Sequence, residues 1–323
     1  MRTMTYAEGI REGMRKKMLD DPNVLLFGED VGKFGGCFGV SAGMFDEFGD
    51  KRVRDTPISE GAIIGAAVGS AACGLRPIAE LMFMDFVTVG MDQIVNQAAK
   101  LRYMTGGKVT LPMVIRLPEG GGVSAAAQHS QSLEAWLAHI PGLKVVYPSN
   151  AQDAYGLMVS AVEDDNPVIF IENKTLYAVK SQVDDELKAV PLGKASVKKE
   201  GTDVSIITYG KQVLDALKAA ETLAKDGINA EVLDLRSLYP LDKEAIFKTV
   251  GKTHKVVIVS EEVKRGAYTG EIASIIAEEC FYECDAPIKR VGALNTPVPF
   301  AMGLESYMLP VEQDIVAAVK SLF

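Results

Sequence analysis

Cysteine, histidine and tryptophan are scarce: four, three and one in 323 residues. Cys37, Cys73, Cys280 and Cys284 make no dense disulfide framework and suit a reducing compartment. Cys280 and Cys284 lack the second ligand pair of a zinc site, so they read as buried packing thiols. Basic side chains number 34 against 43 acidic ones, for a net charge of -9, and no basic run is interleaved with aromatics. That balance argues against a nucleic-acid binder, leaving acidity as a solubility feature or a means of steering a basic partner. No apolar stretch is long enough to span a membrane; Gly61 to Leu75 is apolar but short and rich in small residues. Met1-Arg2-Thr3-Met4 leads straight into a polar, helix-like segment without a signal-peptide pattern, and the cytoplasm is the expected location. Short-period repeats and low-complexity tracts are also missing.

What is present is an ordinary globular composition, 48% apolar and 24% charged, on a chain long enough for two substantial cores. Strand-like apolar runs alternate with helix-like segments. Thr5 with Glu8 reads as a capping box opening a helix to about Asp20. Strands follow at Val24–Phe27, Ile78–Phe83, Met113–Leu117, Lys144–Tyr147 and Val168–Ile171, with helices at Val89–Tyr103, Ser132–His139 and Ala151–Glu163. Unbroken apolar strands with intervening helices imply a mostly parallel sheet covered on both faces. Ala178 to Gly201 is polar and charged and reads as an interdomain connection. The alternation then resumes with strands at Val204–Thr208, Ala230–Asp234, Val256–Ser260 and Ile288–Val291, and helices at Gln212–Lys225, Lys243–Val250, Gly270–Glu279 and Val311–Leu322. The expected boundaries are 1–178, a linker 179–201, and a smaller α/β unit 202–323.

Glu60 stands out among residues that carry chemistry. In Asp55-Thr56-Pro57-Ile58-Ser59-Glu60-Gly61 a strand-like segment ends, a possible N-cap serine follows, and a carboxylate opens a helix rich in Gly and Ala. A carboxyl held against close-packed apolar surroundings keeps its proton and can share it with a ligand nitrogen; a helix-start Glu is equally what the macrodipole favours. Gly28, Gly32, Gly35, Gly36 and Gly39 form a Gly-rich loop after a strand, but the spacing fits neither the dinucleotide fingerprint nor the P-loop, and a flexible loop is expected. His129 lies among small residues in Ala125-Ala126-Ala127-Gln128-His129-Ser130-Gln131, which leave room beside it for a ligand. His139 lies on the helix after it and suits a structural role capping that helix's C-terminus, and His254 reads as a surface residue.

Five motifs occur in order: Gly28-Glu29-Asp30-Val31-Gly32, Asp55-Thr56-Pro57-Ile58-Ser59-Glu60, Gly74-Leu75-Arg76-Pro77-Ile78-Ala79-Glu80, Ala127-Gln128-His129-Ser130-Gln131 and Pro141-Gly142-Leu143-Lys144-Val145-Val146. Together they resemble the beta subunit of the thiamine-diphosphate-dependent E1 component of 2-oxo acid and acetoin dehydrogenase complexes. The resemblance runs from Thr5 to the C-terminal helix. It implies a transketolase-like pyrimidine-binding domain followed by a transketolase-type C-terminal domain. Glu60, followed by Gly65 in the family's Glu-x4-Gly pattern, is then the residue that donates to N1′ of the cofactor's aminopyrimidine. Glu29 would tune its proton, since two close carboxylates repel. Met82 and Phe86 would form the apolar seat of the ring, although plain core packing explains them as well. His129 would serve on the substrate side, handling protons or charge. The resemblance also implies a potassium site held by Met113, Ala161, Val162, Asp164 and Asn166, where a helix end offers free carbonyls and an acid.

Thiamine-diphosphate enzymes hold the diphosphate through a Gly-Asp-Gly segment followed by an Asn that helps ligate magnesium, and this chain has no Gly-Asp-Gly. The resemblance therefore implies that a separate alpha subunit holds diphosphate and Mg2+, in an α2β2 heterotetramer. It further implies a lipoyl-bearing E2 acyltransferase as acceptor; by charge complementarity, Asp285 and the carboxylate of Phe323 are the expected acidic contacts for a basic binding domain of E2. Arg76–Phe83, Glu172–Tyr177 and Thr296–Phe300 resemble acetoin dehydrogenase beta chains more than pyruvate ones. Acetoin is thus the favoured substrate and pyruvate the alternative. A non-catalytic scaffold subunit and a single-chain transketolase-like enzyme are the remaining rivals; Glu60 and His129 speak against the first, the missing Gly-Asp-Gly against the second.

Overall fold

The computed structural model describes residues 1–323. The chain divides into two compact units, one of Met1–Glu119 with Trp136–Leu192, the other of Gly120–Ala135 with Gly193–Phe323.

The first unit is built on β2 (Val24–Gly28), β3 (Val53–Asp55), β4 (Arg76–Glu80), β5 (Val114–Glu119), β6 (Lys144–Val146) and β7 (Val168–Asn173). Their order is β6-β7-β5-β4-β2-β3, and every one of these pairings is parallel. All residues of β5 and β7 are buried, as expected where helices cover both faces. The chain moves from β2 to β3 on one side and returns to β4 on the other, so the direction of winding reverses at β2. A crevice at the carboxyl ends of such strands is where open α/β sheets bind ligands.

Local chemistry explains the elements. β1 (Arg2–Thr5) leads into α1 (Tyr6–Asp20), whose capping box has Glu8 N–H donating to Thr5 Oγ1 at 3.2 Å and Thr5 N–H donating to Glu8 at 2.7 Å. α1 packs on α7 (Ala151–Glu163) so closely at Gly9 that a Cβ there would fall 2.3 Å from the Ala151 carbonyl oxygen. α2 (Met44–Phe48) precedes β3, and α3 (Glu60–Ala72) follows it. The helix expected over Val89–Tyr103 is instead interrupted. α4 (Val87–Asp92) passes into a π-helical turn, Gln93–Ala98, before the short α5 (Leu101–Met104). Nothing in the side-chain contacts explains the widened turn. α6 is limited to Glu134–Ala138. β8 (Lys180–Val183) pairs antiparallel with β1. This polar, largely exposed ribbon has no apolar run to announce it.

The second unit carries β9 (Ser196–Lys199), β10 (Val204–Thr208), β11 (Ala230–Asp234), β12 (Ser237–Tyr239), β13 (Val256–Val263) and β14 (Lys289–Ala293). Its sheet runs β14-β13-β10-β11-β9, parallel except at the β9 edge. Val204, Ile206, Val232, Val257 and Val259 face α8 (Gln212–Lys225) and α12 (Glu312–Lys320) in one core. Ser205 points to the other face, where α9 (Lys243–Thr253) supplies the Thr249 and Thr253 hydroxyls at 2.7 Å. α10 (Tyr268–Glu279) and α11 (Met302–Met308) complete the unit. His254 ends α9 in the left-handed conformation (φ 59°), exposed, with its Nδ1 2.7 Å from the Glu283 carbonyl oxygen.

Candidate active site

The carboxyl ends of β2, β3 and β4 bring three expected site segments together. Gly28 pairs in register with Glu80 on one side and Asp55 on the other. Glu29, the approach to Glu60, and Met82 therefore leave the sheet from neighbouring positions. Glu60 opens α3 and is only 7% exposed. Ser59 occupies the N-cap position, but its hydroxyl donates to the Pro57 carbonyl at 3.0 Å instead of capping the helix. Glu29 is buried; the Ser59 backbone N–H donates to it, yet its Oε1 is sequestered without a partner. Burial, and after it the negative charge of Glu60, push the Glu29 carboxyl above the usual range. A buried carboxyl oxygen with no donor is what a ligand N–H or a retained proton satisfies.

Met82 and Phe86 are half-buried on the segment after β4. Phe86 meets Phe83 edge-on at 6.0 Å, and Phe83 meets Phe38 edge-on at 5.6 Å. The Gly28–Gly43 loop, expected to be flexible, is a series of linked turns. Gly36 N–H donates to Asp30 O at 2.8 Å, Ser41 Oγ to Val31 O at 2.8 Å, and Gly32 N–H to Asp55 Oδ1 at 2.6 Å. The first two bonds brace the loop internally, and the last ties it to Asp55 on β3.

Behind these carboxylates lies a charged cluster that the sequence reading passed over. Arg116, on β5 and 0% exposed, donates through Nε and Nη2 to Glu172 on β7 at 2.7 Å each, and through Nη1 to Glu80 on β4. Tyr177 donates to Glu172 at 2.8 Å. Burial pushes Glu80 up despite Arg116, and the nearby Glu29 charge pushes the same way. The signal was available: an arginine inside Val114-Ile115-Arg116-Leu117 is a charge within a buried strand and needs partners.

His129 belongs to the second unit, in Gly120–Ala135. It is half-buried, and its N–H donates to the Ala126 carbonyl at 3.3 Å. A cavity of about 250 Å³ lies beside its loop, lined by Ser130, Gln131, Leu133, Val263, Val298 and Leu309.

Residues 2–180 match the family described as "Transketolase, pyrimidine binding domain", and residues 193–315 the "Transketolase, C-terminal domain". The chain is 48% identical to the "Acetoin:2,6-dichlorophenolindophenol oxidoreductase subunit beta" of Bacillus subtilis (strain 168), over 99% of this chain and 97% of the relative. It is 46% identical to the "2-oxoisovalerate dehydrogenase subunit beta" of the same organism, over 100% and 99%. Identity to the "Pyruvate dehydrogenase E1 component subunit beta" of Rickettsia felis is 44%, over 99% and 98%. The chain belongs to the E1 beta subunits of thiamine-diphosphate-dependent dehydrogenases. The fold of this E1 beta chain also superimposes on a solved "Split gene transketolase, inactive beta4 tetramer" with a TM-score of 0.82, at 24% identity and covering 99% and 98%.

The groups at the β2–β4 crevice of this E1 beta chain fit an aminopyrimidine: a carboxyl to hydrogen-bond a ring nitrogen, an unsatisfied second carboxyl oxygen beside it, and half-buried apolar side chains to flank the ring. The potassium set lies together at the C-terminal end of α7 and the start of β5. Several of its oxygens already have donors. The Val162 carbonyl accepts from Arg76 Nη1 at 2.9 Å and that of Asp164 at 3.4 Å, while the Met113 carbonyl accepts from Val168 N–H at 2.9 Å. Asp164 holds Lys144 and the Asn166 amide, and it sits below its usual carboxylate range because these hydrogen bonds outweigh its burial. A cation there would share these oxygens with existing donors.

Proposed function

We propose that this beta subunit supplies the aminopyrimidine half of a thiamine diphosphate site shared with an alpha subunit in an α2β2 E1, and that the assembled enzyme cleaves acetoin and passes the two-carbon acyl unit to a lipoyl-bearing E2 acyltransferase. The observation that carries this reading is the buried pair Glu29–Glu60 at the carboxyl ends of β2 and β3, with one Glu29 oxygen left without a donor. Glu60 holds the proton-sharing contact to the ring nitrogen. Glu29, whose own ionisation is resisted by burial and by Glu60, keeps the pair from carrying two full charges. Met82 and Phe86 flank the ring and exclude water from that contact. Bound thiamine diphosphate supplies the carbon nucleophile that adds to the substrate carbonyl. His129 handles protons or charge on the substrate side. The missing Gly-Asp-Gly supports an alpha subunit as holder of the diphosphate and Mg2+. A potassium ion among Met113, Ala161, Val162, Asp164 and Asn166, and a cytoplasmic location, belong to the same reading.

Acetoin is favoured by the Arg76–Phe83, Glu172–Tyr177 and Thr296–Phe300 segments. A 2-oxo acid is the second reading, carried by the identities of 46% and 44% to the beta subunits named for 2-oxoisovalerate and pyruvate. Dye-linked oxidation by the purified α/β enzyme, with acetoin, pyruvate and 2-oxoisovalerate compared side by side, separates them. Turnover of acetoin well above the two acids is expected; a reversed preference keeps the site and moves the substrate. Glu60→Gln in the same enzyme should lower kcat by at least ~10²-fold, the scale of a lost acid/base group. Undiminished turnover by that variant would make the chain a scaffold.

A further inference from the structure

We propose that Glu305 is a positioning residue that sets the shape of the His129 loop, with Glu261 and Glu262 pinning the loop's two ends; the proposal rests on the substrate-side role assigned to His129. Glu305 is 1% exposed on α11. Its two oxygens accept from successive turns of the loop, Oε1 from Gly122 N–H at 2.8 Å and Oε2 from Ser124 N–H at 2.9 Å. Glu261, on β13, accepts from Gly121 N–H at 2.7 Å. At the far end Glu262 accepts from Ala135 N–H at 3.1 Å. The segment from Gly120 to Ala135 contains no Lys or Arg, so the loop meets these carboxyl groups through its backbone N–H donors, and a hydrogen bond to an ionised carboxylate is stronger than a neutral one.

The loop needs such restraint. Gly120, Gly122, Ser124 and Ala126 all take positive φ (88°, 91°, 54° and 63°). Ser124 and Ala126 have no glycine freedom, and side chains in that region persist only where the surroundings hold them. Ala126 is the residue whose carbonyl receives the His129 N–H, so the turn presenting the imidazole starts one residue pair beyond the Glu305 contact. Gly121 lies flat against α11: a Cβ there would stand 2.9 Å from Leu309 Cδ1 and 3.3 Å from Glu305 Oε1. A shift of about 1 Å in a catalytic side chain lowers rate by roughly 10²-fold, which is how a residue away from the reacting atoms acts on them.

The test uses the α/β enzyme with four variants: Glu305→Gln, Gly121→Ala, His129→Ala, and Glu305→Gln combined with His129→Ala. In Glu305→Gln an amide N–H replaces an acceptor and faces a backbone N–H. Amide hydrogen exchange over residues 120–131 should accelerate while the melting temperature holds, and kcat/KM should fall by about 10²-fold. The double variant should be no worse than His129→Ala alone. Gly121→Ala pushes the loop off α11 with the carboxylate intact, should act in the same direction, and carries the test if Glu305→Gln does not fold. Unchanged exchange in both loop variants, or a Glu305→Gln loss that adds in full to that of His129→Ala, overturns the positioning role and leaves the functional reading standing. A fully active His129→Ala enzyme overturns that reading, and the positioning role with it.

Discussion

Glu60 was legible as a residue because its type conflicts with its setting: a carboxylate opening a helix of Gly, Ala and Ile asks for a reason. The Glu29 oxygen without a donor was not, since an unpaired atom is a property of packing and not of any motif. Glu262 was equally hidden at the end of a buried strand. Burial raises its carboxyl to about 7, although Tyr268 N–H, Ala135 N–H and the Tyr209 hydroxyl all donate to it and pull the other way. An acid whose folded value is raised binds its proton more tightly in the folded state. Its contribution is therefore complete below the ordinary value of 4.5 and is lost as pH rises through about 7. The loss is on the order of 3 kcal/mol at full ionisation. Glu262→Gln should remove that slope, so the melting temperature of the native enzyme relative to the variant should fall between pH 4.5 and 7. A constant difference across the window would show that Glu262 ionises in the folded chain as it does in the unfolded one.

At the scale of elements, long apolar strands and amphipathic helices were readable because period and hydrophobicity coincide, as in β5, β7 and α8. The antiparallel ribbon β1–β8 and the edge strand β9 were not, because polar strands at a sheet edge carry no apolar run. Neither was the interruption after α4, where a helical pattern continues through a change of hydrogen-bonding. Arg116 ties three strands, β4, β5 and β7, through its fork to Glu80 and Glu172. Removing one partner of a buried charge network leaves the others uncompensated and costs about 3–5 kcal/mol. Arg116→Met would leave two buried carboxylates facing each other. Calorimetry should find its melting temperature lowered by on the order of 10 °C, with part of the loss recovered when Glu80→Gln is added. A variant as stable as the native chain, or no recovery by Glu80→Gln, would mean that the packing of the strands and not the ion network carries their junction.

For the whole molecule, composition marked a polar stretch near residues 178–201, and the family matches to 2–180 and 193–315 both run into it, leaving only 181–192 between them. No contiguous boundary, however, can register that Gly120–Ala135 packs with the second unit. Chain order hides such an excursion, and the carboxylates that hold it come from Glu261, Glu262 and Glu305, far along the sequence. α11 carries a second message at this scale. Its inner side buries Glu305 and Met308, while Met302, Leu304 and Tyr307 are 73%, 60% and 79% exposed, with Phe300 just before them at 72%. Contiguous exposed apolar side chains of this kind are held back from water by partners, and they match the composition of interface cores. In a chain that belongs to a family of beta subunits, this face is where another chain of the E1 should sit. Leu304→Asp with Tyr307→Asp places two charges on that face without touching Glu305 or the sheet. The double variant should keep its circular dichroism spectrum and lose most of its co-purification with the alpha subunit or its self-association in sedimentation. Full recovery of the assembled enzyme would instead mean that α11 faces solvent in the working complex.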